Sequence, residues 1–368
     1  MKFSVKREDL LKPLQLSGGV VERRNTLPVL ANILLSLNGT QLSLTGTDLE
    51  VEIVSRLTVE SGSGEGEITV PAKKFIDICR ALPESSTIDF TLSEQKVTIK
   101  SGKSRFTLST LPASDFPAVE DAESDYSFSC KQASLKQQID RTAFAMAQQD
   151  VRYYLNGMLW ELNSDHLKVV ATDGHRLALA RGEVSSSIDD SSVQVILPRK
   201  GVIELGRLLQ DGSESIEVVF GKNHLRAATP EFSFTSKLVE GKFPNYDQVI
   251  PKGGDKVVFG DRAELKQAFG RTAILSNEKY RGVRLLLNEG QLTLVANNPE
   301  QEEAEDHVAV DYDGEELEVG FNVSYLLDVL NVLTSDTIKM ILTDANSSAL
   351  LQESESDSAS YVVMPMRL

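Results

Sequence analysis

Residues 171–177, ATDGHRL, set the Asp173 carboxylate, the His175 imidazole and the Arg176 guanidinium close together, the residue types of a general acid–base site. The segment stands at the end of a predicted hairpin strand and no candidate nucleophile is fixed beside it, so a hydrolase using Asp173 and His175 is kept only as an alternative. Ser101-Gly102-Lys103-Ser104 has the ending of a phosphate-binding loop, but Val97 occupies the position where GxxxxGKS requires its first glycine. His166, His175, His224 and His307 lie far apart without HxxxH or HExxH spacing, which gives a zinc site no support. Cys79 and Cys130 form no CxxC pair, so neither a disulfide framework nor a thiolate metal site is expected. No cofactor is called for.

The elements that must position these residues come in three copies. LKQQIDRTA at Leu135–Ala143 returns as LKQAFGRTA at Leu265–Ala273, and a weaker copy in EDLLKPLQ sets Leu11 and Lys12 in the places of Leu135 and Lys136. Each copy continues with two alternating apolar segments about an Asn: Asn38, Asn163 and Asn288, spaced 125 residues apart. Alternation of period two around a short turn predicts a β-hairpin with one buried face. Helical stretches follow at Val70–Leu82, Leu197–Leu209 and Phe321–Leu333, then strand-like pieces SRFTLSTL, FSFTSKLV and the closing YVVMPMRL. The Gly/Ser tract Ser61–Gly66 and the run Ser185–Ser192 read as loops. The expectation is an α+β chain of three similar domains, 1–126, 127–254 and 255–368, each with two helices and antiparallel sheets.

Charge narrows the partners. Lys plus Arg number 38 against 54 Asp plus Glu, a net charge of −16 over 368 residues. The six predicted helices together carry +8, which leaves −24 for the remainder. On a helical projection Lys73, Lys74 and Arg80 fall on one side and Phe75, Ile78, Cys79 and Leu82 on the other; Arg199, Lys200 and Arg207 repeat the pattern. Phosphate contact alone is weak and blind to sequence, and an acidic body weakens it further, so such a protein would hold a nucleic acid duplex by enclosing it. Charges at Lys6, Arg7, Glu8 and Asp9 interrupt any secretion signal, and no run of 18 apolar residues spans a membrane, so a reducing cytoplasm is expected.

The stretches LTGTDLEVEI, QDVRYYLNGML, ATDGHRLALA, LPRKGVIEL, ILSNEKYRGVRL, ANNPEQEEAE, GFNVSYLLDVL and YVVMPMRL closely resemble the bacterial DNA polymerase III beta subunits, the sliding clamps, along nearly the whole chain. The resemblance implies a non-catalytic processivity subunit: a head-to-tail homodimeric ring of six similar domains around double-stranded DNA. It also implies loading by an ATP-driven clamp loader, and replicative and translesion polymerases and mismatch-repair proteins bound through short linear peptide motifs. A triplicated ligand-binding scaffold is the remaining alternative.

By the same resemblance three surfaces are expected. The ring interface joins Lys74, Arg105, Phe106 and Leu108 to Ile274, Leu275, Glu300, Glu302 and Glu303 of a second copy. Charge agrees, because Lys96, Lys100, Lys103 and Arg105 are basic whereas Glu300–Glu318 is rich in acids. The partner-peptide pocket takes Leu155, Thr172, Gly174, His175, Arg176 and Leu177 from the second copy, with Pro244 and Val249. From the third it takes Asn322, Tyr325, Ser348, Val362, Val363, Met364, Pro365, Met366 and Arg367. DNA contact falls to Arg24, Arg80, Gln149, Tyr153, Tyr154 and Lys200.

Overall fold

The computed structural model describes residues 1–22, 27–117, 124–189 and 191–367. Among the described residues six α-helices stand where the patterns place them: α1 (Arg7–Gly18), α2 (Ala72–Ala81), α3 (Gln132–Thr142), α4 (Arg199–Leu208), α5 (Arg262–Thr272) and α6 (Val323–Val332). On α2 the amphipathic reading holds, with Phe75 and Cys79 buried and Lys73, Lys74 and Arg80 exposed.

Two compact units are formed: Met1–Ala133 with Ser185–Asp189 and Lys200–Leu238, and Ser134–Val184 with Asp190–Arg199 and Val239–Leu368. The first holds a five-stranded and a nine-stranded sheet, the second an eight-stranded and a four-stranded one, and all ladders among the described residues are antiparallel. Within each large sheet the strands of consecutive repeats pair directly. Val51–Thr58 lies against Phe232–Lys237 in the first unit, and Arg176–Glu183 against Ser356–Val363 in the second. The strands of the middle repeat are therefore shared between the units.

The Asn-centred hairpins form as expected. Asn32–Asn38 pairs Gln41–Thr47, Gly157–Leu162 pairs His166–Thr172, and Gly282–Asn288 pairs Gln291–Asn297. In the first and third the turn needs a left-handed residue, supplied by Gly39 at φ +60° and Gly290 at φ +69°. Alternate residues Leu35, Leu37, Leu42 and Leu44 enter one core with Phe3, Phe75 and Phe90. Phe3 stacks on Phe90 with centroids 4.5 Å apart.

Three expectations are corrected. The helices begin at Arg7, Gln132 and Arg262, so Leu10, not Leu11, occupies the place of Leu135 and Leu265; Leu10, Leu135 and Leu265 are all buried. The Leu-Lys identity misled because it follows the sequence rather than the buried face. The tract at Ser61–Gly66 is not all loop: Ser61–Ser63 pairs as an edge strand with Lys2–Ser4, and Ser185–Ser186 likewise pairs with Phe128–Ser129. Edge strands this short and polar carry no apolar alternation to read. The closing strand ends at Val363, and Met364–Arg367 continues outside the ladder.

Gly46 lies where α1 crosses the sheet. A Cβ there would stand 1.9 Å from the Ser17 carbonyl oxygen, and Ser17 is itself held by its hydroxyl on the Leu44 carbonyl at 2.8 Å. Gly46→Ala is expected to destabilise the first unit by about 1–3 kcal/mol, read as a lowered urea midpoint of the transition reported by that unit; an unchanged midpoint would contradict the packing described.

Candidate functional site: an apolar cleft, an exposed loop and two charged edges

The cleft residues all lie in the second unit. Thr172 closes the strand end, its hydroxyl donating to the Arg176 carbonyl at 2.6 Å, and the Asp173 carboxylate accepts from the His175 and Arg176 amides at 2.9 and 3.1 Å. Gly174 sits at φ +88°, where a Cβ would come within 2.8 Å of an Arg152 nitrogen. This turn directs His175 to solvent and delivers Leu177 into an apolar cluster with Leu155, Val170, Phe243, Tyr246, Leu350 and Val362. Val249 packs on the same cluster, while Pro244 is exposed. Leu177 lies opposite Val362 and Arg176 opposite Val363, and beyond the ladder Met364 donates to the His175 carbonyl at 2.9 Å and Met366 to Gly320 at 2.7 Å. Met364, Pro365 and Met366 stay half-buried and Arg367 is exposed.

Arg176 binds the cleft together instead of standing free in it. Its guanidinium donates to Asp173 at 3.1 Å, to the Phe144 carbonyl at 2.9 Å and to Asp328, and lies 4.5 Å from the Tyr325 ring centroid and 5.2 Å from that of Phe144. Asp328 and Phe144 were not foreseen, since nothing in the sequence links them to residue 176. Burial, with Asp173 nearby, pushes the Tyr325 phenol above its ordinary pKa. Asn322 caps α6, accepting from the Ser324 and Tyr325 amides at 2.9 and 3.3 Å, and half-buried Ser348 precedes buried Ala349. The hydrolase reading fails on this geometry. The Asp173 carboxylate is spent on its own turn and on Arg176.

The loop before Leu155 presents Gln149, at φ +56°, and Tyr153, 57% exposed, with Tyr154 half-buried against it. Arg152, missed from sequence, clasps the loop through Asp150 at 3.0 and 2.8 Å and reaches the Asp173 carbonyl at 3.1 Å. Arg80 is exposed at the end of α2, 3.7 Å from Asp77. Lys200 is less free than its helix position implies, paired with Glu22 at 2.8 Å and with Asp48. On the same helix Arg199 donates to the Met146 carbonyl at 3.1 Å and Arg207 to Glu204 at 2.7 Å. Arg24 lies outside the described residues.

The two edges differ in charge. Ser104–Ser109, an outer strand of the five-stranded sheet, exposes Arg105, half-buries Phe106 and buries Leu108, with Lys74 exposed on α2. Glu303–Ala309, an outer strand of the four-stranded sheet, exposes Glu303 and Glu305 and follows exposed Glu300 and Glu302. Ile274 beyond α5 is 76% exposed and Leu275 half-buried.

Three copies of one α+β unit, fused by strand pairing and ending in oppositely charged edges, define a repeat-built scaffold. Family models for the DNA polymerase III beta subunit match it in order: the N-terminal domain over residues 1–120, the central domain over 129–245 and the C-terminal domain over 247–367. A beta sliding clamp of Pseudomonas putida is 61% identical over 368 residues, and one of Escherichia coli K12 54%, each covering 100% of both chains. A crystal structure of the Pseudomonas aeruginosa sliding clamp bound to griselimycin matches with a TM-score of 0.97 and 60% identity, covering 100% of both chains. The chain belongs to the DNA polymerase III beta-subunit family, the bacterial sliding clamps. Its work is accordingly that of a DNA sliding clamp, a non-catalytic processivity subunit whose partners are DNA and polymerases.

The Arg152 clasp holds the Asp150 carboxyl down to about 2, through the side-chain hydrogen bond first. A carboxyl depressed in the folded chain contributes its stability above the ordinary carboxylate pKa and loses it as pH falls toward 2. Carbon-13 NMR titration is expected to place the Asp150 midpoint near 2, and Arg152→Gln, which keeps the backbone amide on Asp150, to raise it toward the ordinary range; a midpoint already ordinary in the unaltered chain would refute the clasp.

Proposed function

We propose that two copies of this chain close head to tail into a ring around duplex DNA and that the ring carries polymerases along it. The observation that carries this reading is the cleft of the second unit. Leu155, Leu177, Val249 and Val362 converge on one apolar cluster beside the half-buried Met364 and Met366. Such a cleft suits a short peptide with apolar anchors, because Met adapts its shape and burial contributes about 25 cal/mol per Å². The occupants are segments of the clamp loader, of replicative and translesion polymerases and of mismatch-repair proteins. His175 and Arg367 at the rim are exposed to such a segment.

Ring closure is supported by the two edges. A heterologous contact between Ser104–Ser109 of one copy and Glu303–Ala309 of the other sets Arg105 against Glu300, Glu302 and Glu303. Phe106, Leu108, Ile274 and Leu275 supply its apolar part, and Lys74 adds positive charge. A closed ring requires an ATP-driven loader to open it. DNA is then retained topologically, touched without base readout by Arg24, Arg80, Gln149, Tyr153 and Tyr154, with Lys200 contributing least because its charge is already paired. The site of action is the cytoplasm, where the chromosome is copied. The division into domains 1–126, 127–254 and 255–368 follows the repeats, each of which contributes two helices.

Loaded with clamp loader and ATP, the protein is expected to stay on nicked circular DNA and to run off once the circle is linearised; equal retention on both forms would overturn encirclement. Deleting Met364–Leu368 is expected to weaken polymerase binding by about tenfold or more, the scale of losing hot-spot anchors. Sedimentation should still give the dimer mass, and dissociation into monomers would overturn the assignment of this segment to partner binding.

A further inference from the structure

We infer that a second cleft, in the unit that contains α1, is a docking site for an arginine-bearing segment of a partner protein. It is separate from the peptide cleft and does not rest on that reading. The cleft has a volume of about 370 Å³ and an apolar lining of Leu16, Leu57, Leu208 and Phe232, with Gln210 and Glu231 beside them.

The chain supplies its own template for the occupant. Consecutive repeats are joined by the same ladder in both units: Val363 opposes Arg176 as Ser236 opposes Val51, and Met364 donates to the His175 carbonyl as Lys237 donates to that of Glu50, both at 2.9 Å. Counting back along the ladder, Glu231 holds the place of Ser358. Counting on from the ends of α4 and α6, Gln210 holds that of Thr334. Counting from the starts of α1 and α3, Leu16 holds that of Arg141. In the second unit Arg141 fills this place, its guanidinium donating to Ser358 at 3.2 Å, Thr334 at 3.4 Å and Glu353 at 3.2 Å. In the first unit Leu16 stops short and a cleft remains.

What surrounds that cleft is suited to the missing cation. Glu231 brings a carboxylate where the filled counterpart has a serine, and Gln210 holds it at 3.0 Å. The charged lining comprises Glu8, Asp9 and Glu231 against Lys12 and Arg56, and the Arg56 guanidinium is turned to the Ser233 hydroxyl at 2.6 Å. An arginine entering from outside would pair with Glu231 while its methylene stem covers Leu16 and Leu57. An acidic side chain drawn by Arg56 would meet the carboxylates of Asp9 and Glu231, with Glu8 already held by the Ser85 amide at 2.6 Å.

The probe is the dipeptide acetyl-Arg-Leu-amide, compared by NMR titration of the full-length protein with its neutral isostere acetyl-citrulline-Leu-amide and with acetyl-Asp-Leu-amide. The arginine peptide is expected to bind about tenfold more tightly than the citrulline peptide, as one charge-assisted pair implies, and to shift the Gln210 side-chain amide. Leu16→Arg, which restores the residue found in α3, should abolish that binding and raise Tm, while Glu231→Gln should remove the preference over citrulline without lowering Tm. Deleting Met364–Leu368 should leave it intact. Equal binding of the arginine and citrulline peptides, tighter binding of the aspartate peptide, or undiminished binding to the Leu16→Arg variant would each overturn the proposal.

Discussion

The structure depends on main-chain pairing between consecutive repeats. A hairpin sheet of one repeat has an outer strand with unpaired amides and carbonyls, a liability in water. Here Val51–Thr58 is covered by Phe232–Lys237 and Arg176–Glu183 by Ser356–Val363, so both edges are used to fuse repeats. Because side chains alternate along these ladders, the same pairing fixes which residues face the apolar cluster and which face away. Leu177 and Val362 meet in the cleft through this register, although they lie far apart in sequence.

Positive charge is distributed more sparingly than a count over helices implies. Several cations hold the fold together. Arg7 of α1 donates to the Cys79 and Arg80 carbonyls at the end of α2, at 3.0 and 3.2 Å. Arg262 of α5 donates to Ser335 at 2.9 Å and to Leu330 at 3.5 Å, at the end of α6. Both occupy the first position of their helices and both satisfy carbonyls that a helix end leaves unpaired. With Arg199, Arg207 and Lys200 also engaged, the cations that stay exposed on α2 are Lys73, Lys74 and Arg80, the last 3.7 Å from Asp77. Sparse positive charge suits a protein that slides, since tight phosphate binding would hold it in place.

Local pattern made the helices, the Asn-centred hairpins and the buried face of α2 legible, because each depends on residues within one turn or two strands. Features without local pattern were not legible. The polar edge strand Ser61–Ser63 carries no alternation, and it exists only because Lys2–Ser4 offers it a partner. The phase of α1 was misread because Leu-Lys occurs one residue out of step with the buried Leu10. The partners of Arg176 come from α6 and from the Phe144 carbonyl, and no spacing announces a contact across 152 positions. Residues of the cleft were named through family likeness; their convergence is a property of the register.

Repetition of a backbone does not repeat its chemistry. The first unit carries the turn of the cleft almost unchanged: Thr47 donates to the Val51 carbonyl, Asp48 accepts from the Glu50 and Val51 amides, and Leu49 takes the left-handed place of Gly174 at φ +79°. Leu177 is replaced there by Glu52, Val362 and Val363 by Thr235 and Ser236, and Met364 by Lys237, which is paired with Glu50 at 3.2 Å. Burial raises the Glu52 carboxyl above its ordinary pKa, so this position already bears a desolvation cost. An apolar anchor entering beside it would remove more water from that carboxyl and from the Lys237–Glu50 pair, at a cost of about 1–3 kcal/mol for each polar group left without a partner. That is comparable to the gain from burying one Leu side chain, about 1.5–3 kcal/mol. On a turn kept almost unchanged, four substitutions therefore set charged and polar groups at the first junction where the second has the apolar anchors of its cleft.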